Sequence, residues 1–155
     1  MKRFDNSIIE DFRLKLVDFF GVDVRDTPIF VCDEVEFSPF KYDSYIVAMT
    51  VYLPKAPAIF ILEQSVSGRD YDAWLNVIKH ELVHVFYYSK NHVGLPKWLN
   101  EGLAMILSGQ KMVGTSFTIQ DLMKYADKMD ERGYGVGYSA VSELMMLDKD
   151  GRLGL

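Results

Sequence analysis

The pentapeptide His80-Glu81-Leu82-Val83-His84 uses two of the three histidines in the chain. It lies within Tyr71 to Tyr88, where Trp74, Val77, Ile78, Leu82 and Val85 recur at helical spacing, so a long amphipathic helix is predicted there. On a helix, residues four apart share a face one turn apart. Two imidazoles so placed can reach one metal ion, for which zinc–nitrogen bonds of about 2.0–2.1 Å are usual. Glu81 projects about 100° round the helix from His80. A carboxylate there can miss the ion and still stand beside a water bound to it. Such a water is acidic, and a neighbouring carboxylate can take its proton. By chance the pentapeptide arises on the order of once in a few hundred chains of this size. Its place inside an amphipathic pattern adds to its weight.

A catalytic zinc site needs a third protein ligand and keeps a further position for water. One pattern supplies another histidine shortly after the motif, with a glycine before it. Here those positions are Tyr87 and Lys90, so that pattern is excluded. The alternative is a glutamate from a second helix downstream. Glu101 occupies such a place in Trp98-Leu99-Asn100-Glu101-Gly102-Leu103-Ala104. Gly102 and Ala104 are small enough to let this second helix come close to the first, and Trp98 is expected to pack into a core. His92 falls in the connector Ser89 to Pro96 and is expected on a surface loop.

Upstream, Ser7-Ile8-Ile9-Glu10 reads as a capping box opening a helix that carries Ile8, Phe12, Leu16 and Phe19 and stops at Gly21. Pro28 to Val31, Tyr45 to Tyr52 and Ala58 to Leu62 read as strands, with a fourth around Glu34 to Phe37. Pro54-Lys55-Ala56-Pro57 is a turn signal, and Ser65 to Asp70 a polar loop. Downstream, helices are expected over Lys97 to Leu107, from Thr118 to about Met129, and from about Tyr138 to Leu147. Gly133, Gly135 and Gly137 read as a flexible approach to the last. Strands first and helices later is the α+β order. The expected architecture is an N-terminal helix, a small, mostly antiparallel sheet of three or four strands, then the motif helix and further helices, in one domain over residues 1–155.

Composition narrows the function. Of 155 residues, 49% are apolar, 14% aromatic and 25% charged, as in globular domains. A net charge of −5 and no basic run beyond Lys2-Arg3 argue against a nucleic-acid partner. No apolar stretch is long enough to span a membrane. Met1-Lys2-Arg3-Phe4-Asp5-Asn6 leads into no apolar signal segment, so a cytoplasmic location is expected. The lone cysteine, Cys32, lies in an apolar stretch and is expected to be a small buried hydrophobe.

The two motifs carry a resemblance. Trp98 to Ala104 resembles the WLNEGxA segment of the alanyl- and leucyl-type aminopeptidases, which are gluzincin metallopeptidases, and it follows the His-Glu-x-x-His motif in the same order. The resemblance implies a zinc ion (Zn2+) held by His80, His84 and Glu101, with Glu81 as general base. Sixteen residues separate His84 from Glu101, slightly fewer than in that family. It also implies a tyrosine that stabilises the oxyanion. Tyr134-Gly135-Val136-Gly137, with Leu144 beyond, is similar in spacing to the family's YEKG segment, which transfers the role to Tyr134; Tyr138 competes for it. The segment that anchors a substrate N-terminus, GxMEN, has no counterpart, Ala48-Met49-Thr50 being the nearest approach. The resemblance covers about half the chain, Tyr71 to Leu147. It implies a minimal, thermolysin-like, zincin-like catalytic domain, with an endopeptidase more expected than an aminopeptidase and a peptide or protein as substrate. In such folds an edge strand receives extended substrate. Ala58 to Leu62 is the candidate, against an ordinary internal strand. A domain that keeps the fold for regulation or peptide binding without turnover is the alternative, and a tail from Asp148 to Leu155 lying across the cleft is a lesser one.

Overall fold

The computed structural model describes residues 1–24, 26–40, 46–53, 56–91 and 95–148. The chain divides into two compact units, Met1–His92 and Val93–Leu155. Its class is α+β, with a small mixed sheet.

The first unit is a four-stranded sheet with helices. Strand β1 (Lys2–Arg3) precedes helix α1 (Glu10–Phe20). The expected capping box at Ser7 and Glu10 does not form. Asp5 instead accepts a hydrogen bond from the Ser7 amide (3.0 Å) and opens a 3-10 turn, Asn6–Ile9, that leads into α1. Gly21 ends α1 as expected, at φ 68°, with its amide donating to the Val17 carbonyl. Strand β2 (Ile29–Cys32) is followed by a single helical turn, α2 (Glu34–Phe37), where a strand was expected. Alternation in Glu34-Val35-Glu36-Phe37 imitates a strand. A capping box decides otherwise: the Glu36 amide donates to Asp33 Oδ1 (2.8 Å) and the Asp33 amide to Glu36 Oε2 (3.1 Å).

Strands β3 (Ala48–Tyr52) and β4 (Pro57–Leu62) complete the sheet in the order β1-β2-β4-β3. β1 with β2 and β3 with β4 pair antiparallel, while β2 and β4 run parallel, with Ile29 opposite Ile59 and Cys32 opposite Leu62. β4 is thus internal, hydrogen-bonded along both edges. The expectation that Ala58 to Leu62 lies at an edge is corrected, and the terminal strands among the described residues are β1 and β3. Tyr45, Pro54 and Lys55, which the sequence placed in a strand and a turn, lie outside the described residues.

Opposed residues share a face of the sheet. Phe30, Phe60 and Phe40 stack in series on one face, with centroids 5.4 and 4.5 Å apart, over a cluster of Cys32, Phe37 and Leu62. Burial pushes the Cys32 thiol pKa up, so it behaves as the small hydrophobe expected. After a one-turn helix, α3 (Gln64–Ser67), in the expected loop, comes α4 (Tyr71–Asn91). Ile78, Leu82, Val85 and Phe86 of α4 are buried, and Phe86 meets Phe20 of α1 at 6.1 Å. The Trp74 indole Nε1 donates to the Leu62 carbonyl (2.8 Å), tying the start of α4 to the end of β4.

The second unit is helical. It contains α5 (Lys97–Ser108), α6 (Ile119–Lys124) and α7 (Glu131–Leu147). No side chain caps the N-terminus of α5. The Lys97 and Trp98 amides donate instead to the carbonyls of Ala126 (2.7 Å) and Tyr125 (3.2 Å), which follow α6. α6 starts at a capping box of Thr118 and Asp121, as the sequence suggested, but ends well before Met129.

α7 begins a full seven residues before its expected start. Asp130 caps it by accepting from the Gly133 amide (2.9 Å). Gly133, Gly135 and Gly137 therefore lie inside the helix, buried, and are not a flexible approach. Each would cost about 1 kcal/mol against alanine in a solvated helix. Packing repays this. A Cβ on Gly137 would stand 2.4 Å from the Trp98 carbonyl oxygen, and one on Gly135 would stand 2.4 Å from Thr115 Oγ1. Gly102 of α5 faces the same crossing, 2.3 Å from the Gly137 carbonyl oxygen by the same measure. Within this unit, the close approach that Gly102 permits is to α7. Trp98 is half-buried, with its carbonyl pressed against Gly137.

Candidate metal centre

α4 is helical throughout the motif, so His80 and His84 stand on one face, one turn apart. Their Nε2 atoms approach to 3.0 Å, with the rings edge to face and centroids 4.7 Å apart. Two ring nitrogens at this distance either share a hydrogen bond, one imidazole donating its N–H to the other, or hold a metal ion between them. Tetrahedral zinc with bonds of about 2.0–2.1 Å would hold its nitrogens about 3.3–3.4 Å apart. A rotation of a few tenths of an ångström suffices, and the donor set fits. His84 is buried, at 9% exposure, while His80 and Glu81 are half-buried.

Glu81 completes the cluster. Its carboxylate and the two histidine nitrogens offer atoms that all lie within 4.8 Å of one another. Strand β3 supplies what holds it. Thr50 Oγ1 lies 2.7 Å from Glu81 Oε2 and 3.2 Å from the Glu81 carbonyl oxygen. A hydroxyl has one proton to give, and the nearer, charged acceptor makes the stronger bond. Two residues along, on the same face of β3, the Tyr52 hydroxyl makes a long contact to the His84 carbonyl (3.4 Å), and its ring lies on that of Tyr88, centroids 4.2 Å apart. Thr50 and Tyr52 were not among the site residues expected from sequence. The only available signal was a pair of hydroxyl residues at alternate positions of a strand, which is weak.

The other expected site residues belong to the second unit. Glu101 is half-buried in the second turn of α5. Tyr134 and Tyr138 are half-buried one turn apart on α7. Both tyrosines are thus helical, in place of the loop position expected for Tyr134. His92 lies outside the described residues, as does the whole tail after Asp148. Among the described residues no helix is long and apolar enough to cross a membrane. No protein-family model matches the chain, and no curated protein or solved structure matches it.

Proposed function

We propose that this chain is a zinc metallopeptidase of the gluzincin kind, cleaving within peptides or proteins, with residues 1–155 forming one zincin-like catalytic domain. The observation that carries the proposal is the convergence of His80 and His84 Nε2 at 3.0 Å with the Glu81 carboxylate beside them. His80 and His84 would hold the zinc ion. Glu101 is proposed as the third ligand on sequence grounds, from its place in Trp98 to Ala104. Zinc, when bound, supplies Lewis acidity that brings the pKa of a water towards neutrality. Glu81 accepts the proton of the attacking water on its carboxylate and returns it to the leaving amine. Tyr134, by resemblance, donates its phenol proton in a hydrogen bond to the developing oxyanion. Extended substrate would add to β3, which ends the described sheet on the side of Thr50 and Tyr52. A lone buried thiol, Cys32, accords with a reducing compartment such as the cytoplasm.

The test is metal analysis together with a peptide-library digest. Purified protein should hold about one zinc per chain, as a single mononuclear site requires. Wild type should cleave, and Glu81→Gln should keep the metal and lose cleavage. Absence of zinc under metal-replete conditions would refute the proposal. Stoichiometric zinc with no cleavage of any peptide would leave the second reading, a metal-holding domain that binds peptides without turning them over.

A further inference from the structure

We infer that Thr50 is the positioning residue for the general base, fixing one oxygen of the Glu81 carboxylate and with it the orientation of the other, which takes up the proton. The inference rests on the peptidase reading above for its catalytic meaning, but its geometry stands apart from it.

A glutamate on a helix has three rotatable bonds before its carboxylate. A base that must meet a proton within hydrogen-bond reach needs those rotations restricted. The backbone of α4 fixes only where the Glu81 side chain starts. Thr50 Oγ1, 2.7 Å from Oε2, fixes where it ends. The anchor is itself constrained. Threonine is branched at Cβ and has few χ1 choices on a strand, and β3 is held in register by β4, with Thr50 opposite Ile59. Thr50 therefore presents its hydroxyl from a fixed backbone.

The bond also divides labour within the carboxylate. Oε2 accepts the Thr50 hydrogen bond. Oε1, held in orientation by that bond, is the oxygen that accepts a proton in the reaction. No atom of Thr50 exchanges a proton with substrate. It acts through Glu81 alone.

Thr50→Val keeps the shape and removes the hydroxyl, and Thr50→Ser keeps the hydroxyl. In zinc-loaded protein, Thr50→Val should lower kcat about ten- to hundredfold, the cost of misplacing a catalytic group by an ångström. KM, zinc content and the melting curve should be close to those of wild type. Thr50→Ser should restore most of the rate. Crystal structures of the same two zinc-loaded proteins give a readout independent of turnover. Glu81 should point at residue 50 in wild type and in Thr50→Ser, and leave that rotamer in Thr50→Val. An undiminished kcat in folded, zinc-loaded Thr50→Val would overturn the inference. So would an unchanged Glu81 rotamer in that variant. If wild type cleaves no peptide, the peptidase reading fails, and the rotamer comparison alone still decides the role of Thr50.

Discussion

The carbonyl oxygen of Gly137 lies 2.3 Å from where a Cβ on Gly102 would stand, its carbonyl carbon 2.6 Å and Val141 Cγ2 2.7 Å. Helices α5 and α7 therefore cross backbone against backbone. The first obstacle is main chain and cannot rotate away. Gly102→Ala should destabilise the protein by about 3 kcal/mol, the upper part of the range for overpacking. Denaturant melts of the variant beside wild type would show it. A change below about 0.5 kcal/mol, the level of a neutral surface substitution, would mean that the two helices separate easily.

Metal should stabilise the folded chain. At a free zinc concentration a thousand times the dissociation constant, linkage gives about 4 kcal/mol. Chelation should lower the melting temperature, and added zinc should restore it. His84→Ala should abolish that response, because one of the two converging nitrogens is gone. Glu81→Gln should keep it, since neither histidine is touched. A melting temperature indifferent to zinc in wild type would count against the metal centre itself, whatever the peptidase assays show.

The Trp74 indole is the polar link between β4 and α4. Trp74→Phe retains an aromatic ring but leaves the buried Leu62 carbonyl without that donor. The expected loss is about 2–3 kcal/mol, from the unpaired acceptor and the smaller ring together. Thermal or chemical unfolding measures it. Zinc content at low temperature should survive, because the histidines lie further along the helix.

Asp130 should make stability fall in acid. The Gly133 amide, donating to its carboxylate at the start of α7, holds its pKa below the usual aspartate range, and Tyr125 and Lys124 add to this. A group whose folded pKa is depressed binds fewer protons folded than unfolded. Its contribution is complete above the unfolded value, near about 3.9, and is lost as pH falls through the folded one. Asp121, lowered chiefly by the Thr118 amide, acts in the same direction. Asp130→Asn keeps a capping acceptor and cannot titrate there. Melting temperatures from pH 6 down to pH 3 should fall less steeply in the variant than in wild type. Parallel curves would show that the cap carries no charge-dependent stability.

Local signals were legible in the sequence and non-local ones were not. His80 and His84 share one helix, so their spacing alone placed them together. Gly21 and the Thr118–Asp121 pair likewise act within a few residues. Glu34 to Phe37 misled because its alternation imitates a strand, although the capping pair Asp33 and Glu36 was present to be read. β1 is two residues long, too short for any period. The three glycines of α7 read as breakers because propensity describes an isolated helix. Their reason for being there is the Tyr125 ring at Gly133, the Thr115 side chain at Gly135 and the main chain of Trp98 at Gly137, which come from elsewhere in the sequence. The internal place of β4 depends on β2 pairing across the β3 hairpin, which no local pattern encodes. Thr50 stayed hidden for the same reason, since it meets Glu81 only through the fold.

The sheet order has a consequence for time as well as for shape. β4 is paired along both edges, and the Trp74 indole fastens α4 to it. Among the described residues, β3 is paired along one edge, with β4. Amide exchange should therefore be slowest in β4 and faster in β3, where fewer bonds must open. The two histidines belong to the slow part and the tether of Glu81 to the fast one. Fraying of β3 would release the carboxylate while leaving His80 and His84 in place. In the proposed enzyme, metal retention and readiness to react would then decay on separate clocks.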